Sequence, residues 1–307
     1  MDKLKNKNIL MLVLLLVLSI SLAGCSKPKE GVVAEINGKE ISEEEFNNDF
    51  NVFKNLYEKQ LGEDALNQKG EDGRTLGETL KDNILEKLIM EKIIAEQAEP
   101  MNITVTEEEV NRELDEYLAI LGGEEKFDEF LEANQLTKEF FMANMKKELL
   151  VDKYKEAYMK EINVSDKEAE DYFNENKDDL VVLKASHILV STEDEGNKIL
   201  ERLNSGEKFP KIAALESLDS VSAEQGGNLG YFSKGRMFPE FEEAAFALKE
   251  GEISSLVKTE LGYHIIYLED RKDTFEELKD DIIILIKDNK YTENIQSLRD
   301  KAKVKKY

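Results

Sequence analysis

The chain has 307 residues, 41% hydrophobic and 35% charged, with 1 Cys, 2 His, 4 Pro, no Trp and a formal net charge of −24. That length and apolar fraction suit two or three domains, each with its own core. One Cys excludes a disulfide framework and a Cys-rich zinc site, two His speak against a multi-His metal centre, and the acidity speaks against nucleic acid as partner.

The charge is unevenly placed: net −21 over residues 26–181, −7 over 182–270, and +2 over each of 1–25 and 271–307. The chain opens with Lys3, Lys5 and Lys7, an apolar run from Ile9 to Ile20, and small residues at Ala23 and Gly24. This is the layout of an export signal. A run of 12 residues falls short of the ~20 that a spanning helix needs, so a cleaved signal is expected. Leu22-Ala23-Gly24-Cys25 resembles the bacterial lipobox. The resemblance implies cleavage before Cys25, a lipid on its sulfur, and a chain tethered to the outer face of the cell membrane, where two acyl chains hold stably and one does not.

Residues 25–181 read as a helical arm. Val32 to Ile41 is a strand, an Asn37-Gly38 turn and a return strand. Ser42 with Glu45 predicts a capping box, and Phe46, Phe50, Phe53 and Tyr57 line one helical face. Further helices are expected over Leu76 to Ala98, Thr106 to Leu121, Phe127 to Ala133, Thr137 to Ile162, and from Ser165 onward. The aromatics and methionines of this arm are either helix cores or an adaptable cradle for unfolded chains, and the sequence does not choose.

From Val182 the pattern becomes strand, helices, strand, helix, strands, an α+β domain of about 90 residues ending near 271. The strand is Val181 to Val190. An acidic turn is expected from Ser191 to Gly196, then a helix over Asn197 to Asn204. ASHILV, SLDSVSAEQGGNLGYFSKGRM, PEFEEAAFAL, GEIS and LGYHII follow in order, and together they resemble the parvulin family of peptidyl-prolyl isomerases. The resemblance implies a small antiparallel sheet with surrounding helices and no cofactor. It implies a polar set of His187, Asp219 and His264, with the two imidazoles hydrogen-bonded across adjacent strands. It implies a proline pocket of Leu229, Met237 and Phe241, with Phe232 nearby. Because Cys25 is the sole Cys, a thiol mechanism is excluded and Asp219 is expected to act electrostatically. Asn228 departs from the family's usual Asp in GGDLG, which puts a local hydrogen bond in doubt. Glu193, Asp194 and Glu195 follow the first strand where phosphate-directed members are basic, so a general X-Pro substrate is expected.

Residues 272–307 read as one amphipathic helix with Phe275, Leu278, Ile282, Leu285 and Leu298 on its apolar side. A lone helix must pack to persist, and the arm is the expected partner. The isomerase domain would then be inserted into a mostly helical domain, a layout similar to PrsA-type foldase lipoproteins of Gram-positive bacteria and, more distantly, SurA-type chaperones. The expected partners are exported polypeptides with X-Pro bonds and the membrane, through Cys25. The oligomeric state stays open, and the arm allows a homodimer. The competing reading is a holding chaperone whose isomerase domain is a weakly active scaffold.

Overall fold

We describe the fold from a computed structural model, and the structure describes residues 29–307. The expected signal segment and Cys25 lie outside the described residues. Two compact units make up the rest: residues 29–157 with 294–307, and residues 158–293.

In the first unit, β1 (Val32–Ile36) and β2 (Lys39–Ser42) form an antiparallel hairpin. Asn37 and Gly38 both have positive φ, 51° and 90°, as a two-residue turn matched to strand twist requires. Ser42 Oγ accepts from the Glu45 N–H at 3.0 Å and opens α1 (Glu43–Leu61). The predicted box is only half formed there, because the Glu45 carboxylate pairs with Lys92 and Lys147, each at 3.2 Å. Full boxes open α2 (Leu76–Ala98), at Thr75 and Glu78, and α3 (Glu107–Leu121), at Thr106 and Glu109. Next come α4 (Glu124–Ala133) and α5 (Lys138–Glu161). Phe53, Leu80, Ile84, Leu88, Ile89 and Ile93 bury the hairpin's Ala34, Ile36 and Ile41. A second cluster joins α3, α4 and α5. There the rings of Tyr117, Phe127, Phe130 and Phe141 meet at centroid distances of 5.0 to 6.2 Å. These aromatics pack helix against helix.

The second unit begins at residue 158, in the last turn of α5, and its first whole helix is α6 (Asp166–Leu180), which the sequence reading groups with the arm. The remaining elements in order are β3 (Val182–Val190), α7 (Glu193–Asn204), α8 (Phe209–Glu216), α9 (Ser220–Ala223), β4 (Asn228–Ser233), α10 (Pro239–Ala247), β5 (Val257–Thr259) and β6 (Gly262–Lys272). The predicted acidic turn after β3 is instead the first turn of α7. Thr192 and Glu195 form a capping box, and carboxylates are favoured at a helix N-terminus. The four strands run antiparallel in the order β4-β3-β6-β5. Both sheet faces are buried. Leu183, Ala185, Ile266 and Leu268 meet Phe232, Phe241 and Ala245, while Ile188, Val190 and Ile265 meet Ile199, Phe209 and Ile212. Each large side chain so buried stabilises the fold by about 1.5–3 kcal/mol.

The chain ends with α11 (Phe275–Lys301) and β7 (Val304–Lys306). Leu278, Ile282 and Ile286 pack on Ala169 and Phe173 of α6. Leu285, expected on that stripe, is 37% exposed. Contact along one neighbouring helix follows the i, i+4 ridge, which selects Ile286. Farther on, Leu298, Ala302 and Val304 pack on the cluster of β1, α1 and α2. The predicted helix does not reach the end, because β7 pairs antiparallel with β1 and completes a sheet of order β2-β1-β7.

Candidate functional site

The two His come together through strand register. His187 sits on β3 opposite Ile266, and His264 sits on β6 opposite Leu189. Side chains alternate along a strand, so both imidazoles point to the α10 face as diagonal neighbours. His187 and His264 are 6% and 2% exposed, and their Nδ1 atoms lie 3.1 Å apart. His187 is held from behind: its N–H donates to Gly227 O at 2.8 Å. Gly227 has φ +89°, and a Cβ there would collide with the His187 carbonyl, so the Gly226-Gly227 turn needs glycine at this point.

Asp219 arrives on a separate loop clamped to the same strand. Leu218 N–H donates to Leu189 O at 2.8 Å, and Leu189 N–H donates to Ser217 Oγ at 3.1 Å. Asp219 Oδ2 then lies 2.8 Å from His187 Nε2 and accepts from Ser222 Oγ at 2.6 Å. At the other end, Thr259 Oγ1 lies 2.7 Å from His264 Nε2 and accepts from the Leu261 N–H at 3.2 Å. Burial opposes ionisation of Asp219, but the hydrogen bonds from Ser222 and His187 outweigh it and hold its pKa below the usual carboxylate value. Burial, with His187 adding to it, pushes the His264 pKa down to about 4.

With Asp219 ionised, His264 neutral and one proton on His187, one set of donor directions satisfies the row. Leu261 N–H donates to Thr259, Thr259 O–H to His264 Nε2, His264 Nδ1–H to His187 Nδ1, and His187 Nε2–H to Asp219. Ser222 O–H donates to Asp219 as well. Every polar group in the row is then used, and each ring has one tautomer. The row ends on a carboxylate whose side chain is 28% exposed.

Beside this row stands the apolar wall. The Phe241 ring meets His187 at 5.9 Å and His264 at 5.4 Å, both edge to face. Leu229 and Met237 are half-buried in the same cluster. Phe232 packs behind Phe241, 6.2 Å ring to ring, and is 5% exposed, so it supports the wall from within. The Glu242 carboxylate accepts from the N–H groups of Arg236 and Met237 at 2.7 and 2.9 Å, which fixes the loop that presents Met237. Asn228 Oδ1 accepts from the Gly230 N–H at 2.7 Å, so the amide fills the hydrogen-bond role that a carboxylate would have there.

Structure thus brings His187, Asp219, His264, Leu229, Met237 and Phe241 to one place and puts Phe232 one layer deeper. Thr259, Ser222 and Glu242 were missed from sequence. Their roles depend on which side chain faces which, and a lone Thr, Ser or Glu carries no signal. Among the described residues, no group of three or more His, Cys, Asp or Glu could hold a metal ion, and no helix is long and apolar enough to cross a membrane.

Comparison with known proteins places this chain in a family. Residues 184–270 match the family model described as the PPIC-type PPIASE domain, and residues 1–155 match the SurA-like N-terminal domain. The chain is 37% identical to "Foldase protein PrsA" of Caldanaerobacter subterraneus subsp. tengcongensis, over 85% of this chain and 81% of that one. It is 34% identical to "Foldase protein PrsA" of Clostridium botulinum (strain Langeland), over 91% of this chain and 88% of that one. A solved structure of PrsA from Bacillus anthracis is 32% identical, covering 71% of this chain and 96% of that one, with a TM-score of 0.34, so the assignment rests on sequence. The chain belongs to the PrsA foldase family, and it carries a peptidyl-prolyl isomerase domain of the parvulin type.

Proposed function

We propose that this foldase turns X-Pro bonds of exported polypeptides at the row of Thr259, His264, His187 and Asp219, while a lipid on Cys25 holds it outside the cell membrane. The observation that carries the reading is the continuous hydrogen-bonded row lying against Phe241 and ending on the Asp219 carboxylate. The barrier to amide rotation, ~18–20 kcal/mol, comes from resonance that puts negative charge on oxygen and positive charge on nitrogen. Twisting withdraws that charge. A carboxylate facing the carbonyl oxygen therefore repels the planar amide more than the twisted one, and the barrier falls. Thr259 and Ser222 hold the two ends, and Leu229, Met237 and Phe241 seat the proline ring away from water. No bond is cleaved and no cofactor is called for.

The arm's aromatics are largely engaged in its own clusters, which favours the isomerase reading over a pure holding chaperone. The test is a prolyl-isomerisation assay on residues 26–307 and on the Asp219→Ala chain. Robust wild-type activity lost in the variant is expected. An inactive wild-type chain that still suppresses aggregation would favour the scaffold reading. Mass spectrometry of the membrane fraction should find acylated Cys25 at the N-terminus, and an unmodified chain with residues 1–24 retained would sink the anchor.

A further inference from the structure

Two charged side chains brace α10, the helix that carries Phe241, and only one of them reaches the pocket. At the far end Arg271 of β6 donates to Phe246 O at 3.1 Å, satisfying a carbonyl that the last turn of a helix leaves open. At the near end the N-cap, Phe238, has no side-chain acceptor, and the first helical residue is Pro239. Glu242, one turn in, reaches back instead. Its Oε1 accepts from the N–H groups of Arg236 and Met237, which precede the helix. Burial opposes the charge on Glu242, but the N–H groups of Met237, Gly235 and Arg236 outweigh it and hold its pKa below the usual carboxylate value. The carboxylate is therefore ionised at neutral pH, and each of these bonds is charge-assisted.

Met237 is the wall that needs this brace. It sits on a loop, and its unbranched thioether adapts readily to whatever enters. Phe241, by contrast, is 2% exposed and packed on both imidazoles and Phe232. Because Glu242 stands next to Phe241 on the same helix, its bonds tie the mobile wall to the fixed one. Met237 cannot draw back from Phe241 without breaking them. A pocket of fixed width discriminates by size, since one methylene in an apolar site is worth about 10- to 200-fold. We propose that Glu242 is a positioning residue that sets the width of the proline pocket by tying Met237 to the helix of Phe241, and so makes the site select a five-membered ring over a six-membered one. This inference rests on the pocket assigned under Proposed function.

The test uses residues 26–307 and two peptides that differ only in carrying prolyl or pipecolyl, whose ring is one methylene larger. Wild type should favour prolyl by about tenfold in kcat/KM. Glu242→Ala should raise KM for the prolyl peptide about tenfold with kcat within about twofold, and bring the prolyl/pipecolyl ratio to about 1. Glu242→Gln keeps an oxygen at the same reach and should restore most of the ratio, whereas Glu242→Asp, one methylene short, should restore little. Arg271→Ala loosens the other end of α10 and measures plain structural damage: its melting temperature should fall while the ratio holds. Three results would overturn the positioning role and leave the isomerase site standing: wild type that treats both peptides alike, a ratio that survives Glu242→Ala (or Glu242→Asp, where the Ala chain does not fold), or a ratio that falls as far in Arg271→Ala. No turnover of either peptide by wild type would overturn both.

Discussion

Each unit buries ionisable groups, and the two handle them by opposite means. In the arm, Asp49 is 2% exposed and meets Lys87 at 2.8 Å, while Lys87 also meets Glu91 at 2.7 Å and Lys147 joins Glu91 to Glu45. Burial opposes the charge on Lys87, but Glu91 and Asp49 outweigh it and raise its pKa. In the isomerase unit, His264 is equally buried and meets another imidazole and a hydroxyl, with no counter-charge beside it. A charge network that cancels locally fixes helix positions. A row of hydrogen-bonded imidazoles that ends on a partly exposed carboxylate is suited to act on something else.

The comparison can be broken first by removing one member of the arm's network. Asp49→Ala should lower stability by about 3 kcal/mol, because the half-buried Lys87 loses its buried partner, while kcat/KM per folded molecule stays within about twofold. Calorimetry and a peptide assay on the same sample would separate the two effects, and a large loss of turnover in the folded fraction would erase the distinction. Acid should act on the other unit at comparable size. The His264 pKa is depressed, so below the unfolded value of about 6.5 the unfolded chain binds the proton first. Stability is then lost as pH falls from about 6.5 through about 4, by about 3 kcal/mol in all, and His264→Phe should flatten that slope in denaturant titrations.

Smaller effects sharpen the picture. Asp219→Ala should cost about 10²-fold in kcat/KM, or about 2.7 kcal/mol of barrier, with about 1 kcal/mol of stability lost through the cap of α9. Thr259→Val keeps the shape but removes the hydroxyl that assigns the His264 tautomer. About a tenfold loss of activity is expected, partly recovered by Thr259→Ser, and an unaffected pH-rate profile would count against the assigned row. Thr192→Ala should cost about 1 kcal/mol through the lost cap of α7, without touching turnover on any peptide.

Much of this was legible in one dimension. The Asn37-Gly38 turn needs two positive φ values that Asn and Gly supply cheaply, so the hairpin is a local decision. Thr106 and Glu109 close their box within three residues. His187, Asp219 and His264 stood out because the motifs around them are long and ordered. Where local rules competed with distant partners, reading failed. Glu45 left its box for Lys92 and Lys147, and Leu285 yielded its place on α11 to Ile286.

The sequence by itself determined where helices and turns begin, which residues are apolar at the right period, and which family the isomerase motifs resemble, because those depend on neighbours within a few positions. Only the tertiary structure decided that Thr259 closes the row five residues from His264, that Ser222 steadies Asp219, and that the last strand, Val304–Lys306, returns to pair with β1. Lys305 meets Glu35 across a sequence separation of 270, where no local periodicity reaches. Strand register and side-chain direction are settled by the packed sheet, so chemistry that depends on them emerges only once both faces of the sheet are covered.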